Sequence, residues 1–223
     1  MVYIRARPRG TPRDRGLLAD AVAHELGCSA ENIVVSALCP QCKRIDHGVP
    51  TVSRLTGTAG PGPTARSTPD APASSVLLVS LSRSDDLVVV ALVRSGLIGI
   101  DIERVDRFST DTFDDVLLHA AERSALLLLP EDERPFRRAT LWTAKESILK
   151  ATGHGLAIDP ELLSCIVTNG EVKLVSWPAA LALSAVPRVV VHKITDDHVC
   201  AIASSEHDPI TFSWWPDSSP ASS

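Results

Sequence analysis

The segment from Trp142 to Lys150 reads Trp-Thr-Ala-Lys-Glu-Ser-Ile-Leu-Lys. Read as a helix, it places Trp142, Glu146 and Lys150 on one face, because residues four positions apart stack above one another. An aromatic ring, a carboxylate and an ammonium group would then line a single stripe. Taken alone, the pattern also fits an ordinary surface Glu–Lys pair, worth about 0.2–0.5 kcal/mol. The rest of the chain must decide between these interpretations.

Composition narrows the class of protein. The chain has 223 residues, of which 44% are apolar and 22% charged, as expected for a folded protein with a sizeable core. Its net charge of -5 argues against nucleic acid as the main ligand, because phosphate binding needs clustered Lys and Arg. The five cysteines are scattered and describe no disulfide framework. Neither a signal peptide nor a membrane-spanning run is recognisable, so we expect a cytoplasmic protein that binds no membrane.

The pattern of apolar residues and turns predicts the element order. We expect helices at 12–26 and 135–152, a helical region at 112–129, and strands at 33–38, 76–81, 87–93, 97–103, 165–168, 171–177, 188–194, 198–204 and 210–215. This order predicts the α+β class, with helices packed on antiparallel sheets. Residues 56–75 are rich in Gly, Pro, Ser and Thr and predict a flexible loop, and the tail from 216 is expected to be disordered. Cys39 and Cys42, with His47 nearby, could form part of a zinc site, but a tight turn fits them better.

A second stretch carries chemistry. In the strand predicted at 97–103, isoleucines alternate with Gly99, Asp101 and Glu103, so both carboxylates project from one face. If Glu146 approached them, three carboxylates would repel one another unless a cation or a proton lay between them. Oxygen ligands favour magnesium, which keeps positions open for phosphate. Lys150, one helical turn beyond Glu146, would oppose the phosphate charge.

These two stretches together resemble a known family. Gly-Ile-Asp-Ile-Glu at 99–103, followed by the Trp142–Lys150 segment, is similar to the paired signature of the Sfp-type 4'-phosphopantetheinyl transferases, G-[IV]-D-[IV]-E and then W-[ST]-x-K-E-[AS]-x-x-K. Further likeness lies at Ala120–Arg123, at Ala151–Leu156, in the Cys39–Pro50 region and at Val79–Ser82, where relatives have V-S-H-S. The resemblance covers about residues 15 to 205.

The resemblance implies an activity and a set of site residues. Such enzymes transfer the phosphopantetheine arm of coenzyme A to a serine of an acyl or peptidyl carrier protein and release adenosine 3',5'-bisphosphate. By similarity, Asp101, Glu103 and Glu146 would hold Mg²⁺, Glu146 or Glu122 would help to remove the serine proton, and Lys150 would stabilise the leaving phosphate. Lys145 would contact coenzyme A phosphates or help to seat the helix. The other expected coenzyme A contacts are Ser80, Lys43, Arg44 and Arg83.

The resemblance also implies an architecture. The family fold is a pseudo-dimer of two similar α+β halves with the active site between them. We therefore expect an N-terminal, coenzyme A-binding half at 1–95, a C-terminal half carrying the metal site at 96–215, and a tail at 216–223. A chain that is already a pseudo-dimer is expected to be monomeric. The two-half form is more often linked to secondary metabolism, such as polyketide or nonribosomal peptide synthesis.

Two departures from the family pattern concern coenzyme A. Leu81 replaces the histidine of V-S-H-S, and leucine donates no hydrogen bond. The lost contact would weaken binding about ten- to a hundredfold. Val49, between Gly48 and Pro50, stands where relatives carry a basic residue. These departures leave two alternatives open: a weakened family member that acts as a carrier-binding or regulatory protein, and a different magnesium phosphohydrolase.

Overall fold

The structure is a computed structural model that describes residues 2–6, 14–38, 44, 48–55, 77–85, 87–168, 170–183, 185–205, 210 and 212–214. The predicted loop at 56–75, the tail from 216, and the residues Cys39, Cys42, Lys43 and His47 lie outside these ranges. The helices are α1 (Asp14–Leu26), α2 (Asp114–Leu117), α3 (Ala120–Leu127) and α4 (Arg134–Ala151). The strands are β1 (Val2–Ala6), β2 (Ile33–Leu38), β3 (Val49–Arg54), β4 (Leu78–Ser84), β5 (Leu87–Val93), β6 (Ile98–Arg104), β7 (Ser164–Thr168), β8 (Glu171–Ser176), β9 (Arg188–Lys193), β10 (His198–Ser204) and β11 (Phe212–Trp214).

The described strands form two larger sheets and one hairpin. The first sheet has the order β11-β1-β5-β4, the second has the order β6-β10-β9-β8-β7, and β2 pairs with β3. All pairings are antiparallel except that of β1 with β11. The apolar face of α1 packs near β4 and β5, while α4 packs on β6 and β10.

Strand β5 connects the two sheets through both of its faces. Successive side chains of a strand point in opposite directions. Val88, Val90 and Leu92 belong to the core beneath α1. Leu87, Val89, Ala91 and Val93 pack against a set from β6 and β10, namely Ile98, Ile100, Ile102, Cys200 and Ile202. Every residue of β5 is buried, which explains its uninterrupted apolar sequence.

The α+β class is confirmed, with a helix against a mainly antiparallel sheet in each half of the chain. The prediction of one continuous helical region at 112–129 is wrong, because this segment forms two separate helices. Leu118 is extended, with φ -115° and ψ 135°, and separates α2 from α3. His119 then caps α3: its Nδ1 accepts a hydrogen bond from the Ala121 amide, and Glu122 accepts one from the His119 amide.

The chain returns to its first sheet at the end. Strand β11, within the predicted edge strand at 210–215, pairs in parallel with β1. The boundaries proposed at residues 95 and 215 stay a prediction, although the turn before β6 fits the first of them. None of the described helices is both long and apolar enough to span a bilayer.

Candidate active site

Gly99 sets the distance between β6 and α4. A methyl group at this position would overlap the Ser147 carbonyl oxygen and lie 2.5 Å from the Ala151 amide nitrogen, so the two backbones are in direct contact. Because β6 alternates, Asp101 and Glu103 share the face of Gly99, whereas the isoleucines belong to the core between the sheets. Glycine is therefore needed here for the carboxylates to approach α4.

Asp101, Lys150 and Ser82 form a hydrogen-bonded triangle. Lys150 Nζ lies 2.6 Å from Asp101 Oδ1 and donates to it, and Ser82 Oγ donates to the same oxygen over 2.8 Å. Lys150 Nζ also donates to Ser82 Oγ over 3.0 Å. Asp101 is only 4% exposed, and its other oxygen, Oδ2, is buried without a partner among the described residues. The triangle joins β4, β6 and α4 at one point.

Both carboxylates of β6 affect the pKa of Glu146. Burial, followed by repulsion from Asp101, raises its pKa to about 7, Lys150 lowers the pKa, and Glu103 raises it further. Its Oε1 atom is buried and has no hydrogen-bond partner within the described part of the chain. The structure thus brings the three predicted carboxylates into one electrostatic group.

Two neighbours hold Glu103 in place. The Trp142 side chain hydrogen-bonds to Glu103, and Arg107 Nη1 lies 3.3 Å from Glu103 Oε2. Burial and then repulsion from Asp101 raise the pKa of Glu103, while Arg107 and Trp142 lower it. Arg107 also pairs with Asp85 in the β4–β5 turn at 2.8 Å. Sequence reasoning missed these contacts; the four-residue spacing of Glu103 and Arg107 was the available signal.

The donor set fits a hard divalent cation. Two of its oxygens, Asp101 Oδ2 and Glu146 Oε1, are buried and unpartnered, and such oxygens are costly unless a cation or donor reaches them. Within the described residues, no three Asp, Glu, His or Cys side chains are already gathered around a metal position. Lys150 instead supplies positive charge to Asp101.

Lys145 and Glu122 lie together in the interior. Lys145 is fully buried, and its Nζ donates to Glu122 Oε2 over 2.6 Å and to the Leu117 carbonyl over 2.9 Å. Glu122 also accepts from the His119 amide over 2.8 Å and the Cys165 amide over 2.7 Å. Burial lowers the pKa of Lys145, and the Glu122 charge opposes that effect.

The contacts of this pair join α4 to α3, β7 and the end of α2. The structure therefore does not bring Lys145 or Glu122 to the carboxylate group. Their geometry matches the expected seating of the helix rather than contact with coenzyme A or a base role.

A cavity of about 700 Å³ begins at Lys150. Its walls are residues 48–51, 77–81, 96–98 and 150–157, so it lies between β3, β4, the turn before β6 and the end of α4. Ser80 and Leu81 are among the lining residues. Ser80 Oγ accepts a hydrogen bond from the Ile100 amide over 3.0 Å. Arg44 and Arg83 are exposed and are not among the lining residues, while Lys43 lies outside the described ranges.

Comparisons with known proteins agree with the residue pattern. Residues 97–203 match the family described as the 4'-phosphopantetheinyl transferase superfamily. The chain is 31% identical over 145 residues to the 4'-phosphopantetheinyl transferase HetI of Nostoc sp. (strain PCC 7120 / SAG 25.82 / UTEX 2576). That match covers 65% of this chain and 56% of HetI, so the chain spans little more than half the length of this curated relative.

Solved structures with similar folds include two synthases. Holo-[acyl-carrier-protein] synthase from Neisseria meningitidis is 22% identical, with a TM-score of 0.42, over 49% of this chain and 97% of that chain. The Bacillus anthracis synthase in complex with CoA (3',5'-ADP) is 22% identical, with a TM-score of 0.39, over 48% of this chain and 92% of that chain. The family match spans β6 through most of β10 and includes both sequence signatures, so this part of the chain is similar to the 4'-phosphopantetheinyl transferase superfamily.

Proposed function

We propose that this protein transfers the 4'-phosphopantetheine arm of coenzyme A to a serine of an acyl or peptidyl carrier protein. The observation that carries the proposal is the electrostatic influence of Asp101 and Glu103 on Glu146, next to Lys150, which pairs with Asp101 and also lines the cavity. Carboxylates that repel one another favour a bound cation, and a cation next to Lys150 can compensate the charge of a diphosphate. The adjoining cavity has the size of a small-molecule site.

Magnesium is the expected cofactor, held by Asp101, Glu103 and Glu146. When bound, it would neutralise diphosphate charge and align the reacting groups. Asp101 and Glu146 each contribute a buried oxygen that no described protein group satisfies. Trp142 and Arg107 would keep Glu103 oriented toward them.

The reaction balances without a covalent enzyme intermediate. The serine oxygen attacks the phosphorus that carries the pantetheine arm, the bond from that phosphorus to the bridging oxygen breaks, and adenosine 3',5'-bisphosphate leaves. The serine proton passes to Glu146, directly or through water. Glu146 suits this role better than Glu122, because Glu122 already accepts hydrogen bonds from Lys145 and from two amides.

Lys150 stabilises the leaving phosphate in this proposal. Its side chain is 28% exposed and lies at the cavity wall, so the ammonium group can turn from Asp101 to an incoming phosphate. Ser82, which contacts both partners, would keep Asp101 positioned when Lys150 moves. Charge-assisted contacts of this kind are the stronger class of hydrogen bonds.

The setting of the reaction is also a proposal. The packing of both sheets around β5 within one chain supports action as a monomer. We place the enzyme in the cytoplasm, with carrier proteins of polyketide or nonribosomal peptide synthesis as substrates. The match of residues 97–203 to the transferase family supports a carrier substrate in general but does not select the pathway.

Transfer of labelled phosphopantetheine tests this proposal. The full chain, incubated with labelled coenzyme A, Mg²⁺ and an apo carrier protein, should label the carrier, and Glu146→Gln should reduce the rate by at least about 100-fold. Glu171→Gln, which alters an exposed carboxylate paired with Arg188, is the matched control and should retain activity. Failure to label apo carriers of fatty acid, polyketide and peptide synthesis would overturn the proposal. Coenzyme A cleavage without a carrier would favour a phosphohydrolase.

A further inference from the structure

The cavity beside Lys150 is poor in charged side chains. Its described walls are mainly Gly, Ala, Val, Leu, Ile and Pro, with hydroxyls from Thr51, Ser80 and Thr152. Lys150 and His154 are the two ionisable side chains among the residues that line it. A phosphorylated ligand in this cavity therefore has few side chains with which to pair.

The hydroxyl groups of the cavity already have protein partners. Thr51 Oγ1 is hydrogen-bonded to Ser36 Oγ at 2.7 Å. Ser80 Oγ accepts from the Ile100 amide. Thr152 Oγ1 lies 3.1 Å from two carbonyl oxygens of its own helix and donates toward them. Lys150 Nζ donates a hydrogen bond to Asp101 Oδ1 over 2.6 Å.

His154 differs from these groups. Its Nδ1 atom is buried and has no hydrogen-bond partner among the described residues. The backbone around it is fixed: its amide donates to the Leu149 carbonyl over 3.0 Å, closing the end of α4. The flanking residues Gly153 and Gly155 have φ values of 74° and 52°, a conformation that favours glycine. The turn thus holds an unused imidazole at the cavity wall.

The position of His154 also suits an anionic ligand. It follows the carbonyl end of α4, where helix polarity favours a positively charged side chain. A charged imidazole makes short, strong hydrogen bonds to phosphate. Leu81, which lines the same cavity, offers no donor.

We propose that His154 binds a phosphate group of the nucleotide co-substrate in this cavity. The inference rests on the proposed function and extends it to a residue outside the carboxylate group. Lys150 lies at the Asp101 end of the cavity, and His154 follows it by four residues, beyond the end of α4 at Ala151. Together they provide two separated hydrogen-bond donors, which suits a ligand with two phosphate groups, such as a nucleotide with a diphosphate and a ribose phosphate.

The test compares binding of coenzyme A and dephospho-coenzyme A to the full chain by titration calorimetry. His154→Ala should weaken coenzyme A binding about 10- to 100-fold and raise the coenzyme A KM with kcat nearly unchanged, because the contact lies away from the reacting bond. His154→Gln should restore part of the affinity through its amide donor. Leu162→Ala is the matched control, since Leu162 is apolar and 46% exposed and is not among the residues that line the cavity.

The two ligands separate the two phosphate sources. A His154→Ala effect confined to coenzyme A assigns the contact to the 3'-phosphate, whereas an equal effect on dephospho-coenzyme A assigns it to the diphosphate. Equal affinities and KM values in the wild-type chain and His154→Ala would overturn the inference while leaving the proposed function intact. A wild-type chain that binds coenzyme A through His154 but labels no carrier would sustain the inference and overturn the transferase. A chain that neither binds coenzyme A nor labels a carrier would overturn both.

Discussion

The contact between β6 and α4 gives the most demanding prediction, Gly99→Ala. The added methyl group would overlap the Ser147 carbonyl oxygen and approach the Ala151 amide. Both obstacles are backbone atoms of α4, so no side-chain rotation relieves them. Either β6 or the helix must move, and this contact carries Asp101 on one side and Lys150 on the other.

Overpacking a close-packed interior costs about 1–3 kcal/mol and sometimes more. Because α4 backbone atoms block the methyl group on two sides, we expect Gly99→Ala to lower the free energy of unfolding by about 3 kcal/mol or more. Urea unfolding followed by circular dichroism measures this change. Transfer activity should fall in parallel, since the displaced strand carries the carboxylates.

Gly16→Ala is the matched control for Gly99→Ala. A methyl group at Gly16 in α1 would meet no atom within 4 Å. The same substitution there should therefore leave the protein unchanged or stabilise it by about 0.4–1 kcal/mol. An unfolding free energy for Gly99→Ala within about 0.5 kcal/mol of wild type would refute the close contact, and with it the reason for glycine in this signature.

Three further predictions concern single side chains. Lys145→Met leaves the buried Glu122 carboxylate unpaired and should destabilise the fold by about 3–5 kcal/mol in urea unfolding; a change below about 1 kcal/mol would contradict the seating role. Glu146 titrates near 7 in the folded protein against an ordinary 4.5, so without metal the folded state binds a proton that the unfolded state releases. Its contribution to the free energy of unfolding is full below pH 4.5 and falls by about 3 kcal/mol as the pH rises through 7. The Glu146→Gln variant should lack this fall in urea unfolding measured across the same pH range. Equal dependence of the unfolding free energy on pH in the two proteins would count against the buried position of Glu146. Leu81→His adds a donor to the cavity wall and should lower the coenzyme A KM, and an unchanged or higher value would argue against that account.

Local sequence patterns predicted the parts of the site that depend on periodicity. The helix from Trp142 to Lys150 lies within α4, and the period of two in β6 separates the isoleucines from Asp101 and Glu103. Glycine at 153 marks the end of α4, with φ 74°. These features follow from neighbours a few residues apart, which a sequence shows directly.

Contacts between distant segments were harder to predict. Ser82 contacts Asp101 and Lys150 only because β4 lies beside β6, and the parallel pairing of β1 with β11 joins residues from opposite ends of the chain. The reason for glycine at position 99 became clear only from the short distance between the backbones of β6 and α4. The sequence offered seating of the helix as one of two roles for Lys145, but it did not predict the buried pairing of Lys145 with Glu122, because lysine is rarely fully buried.

Binding of one divalent cation by Asp101, Glu103 and Glu146 is the central claim, and electron paramagnetic resonance with Mn²⁺ in place of Mg²⁺ tests it most directly. Titration of the full chain in the presence of coenzyme A should show Mn²⁺ bound at one site per chain. Asp101→Asn should weaken that binding by at least about tenfold, and Glu171→Gln should leave it unchanged. Wild-type affinity in Asp101→Asn would contradict the account.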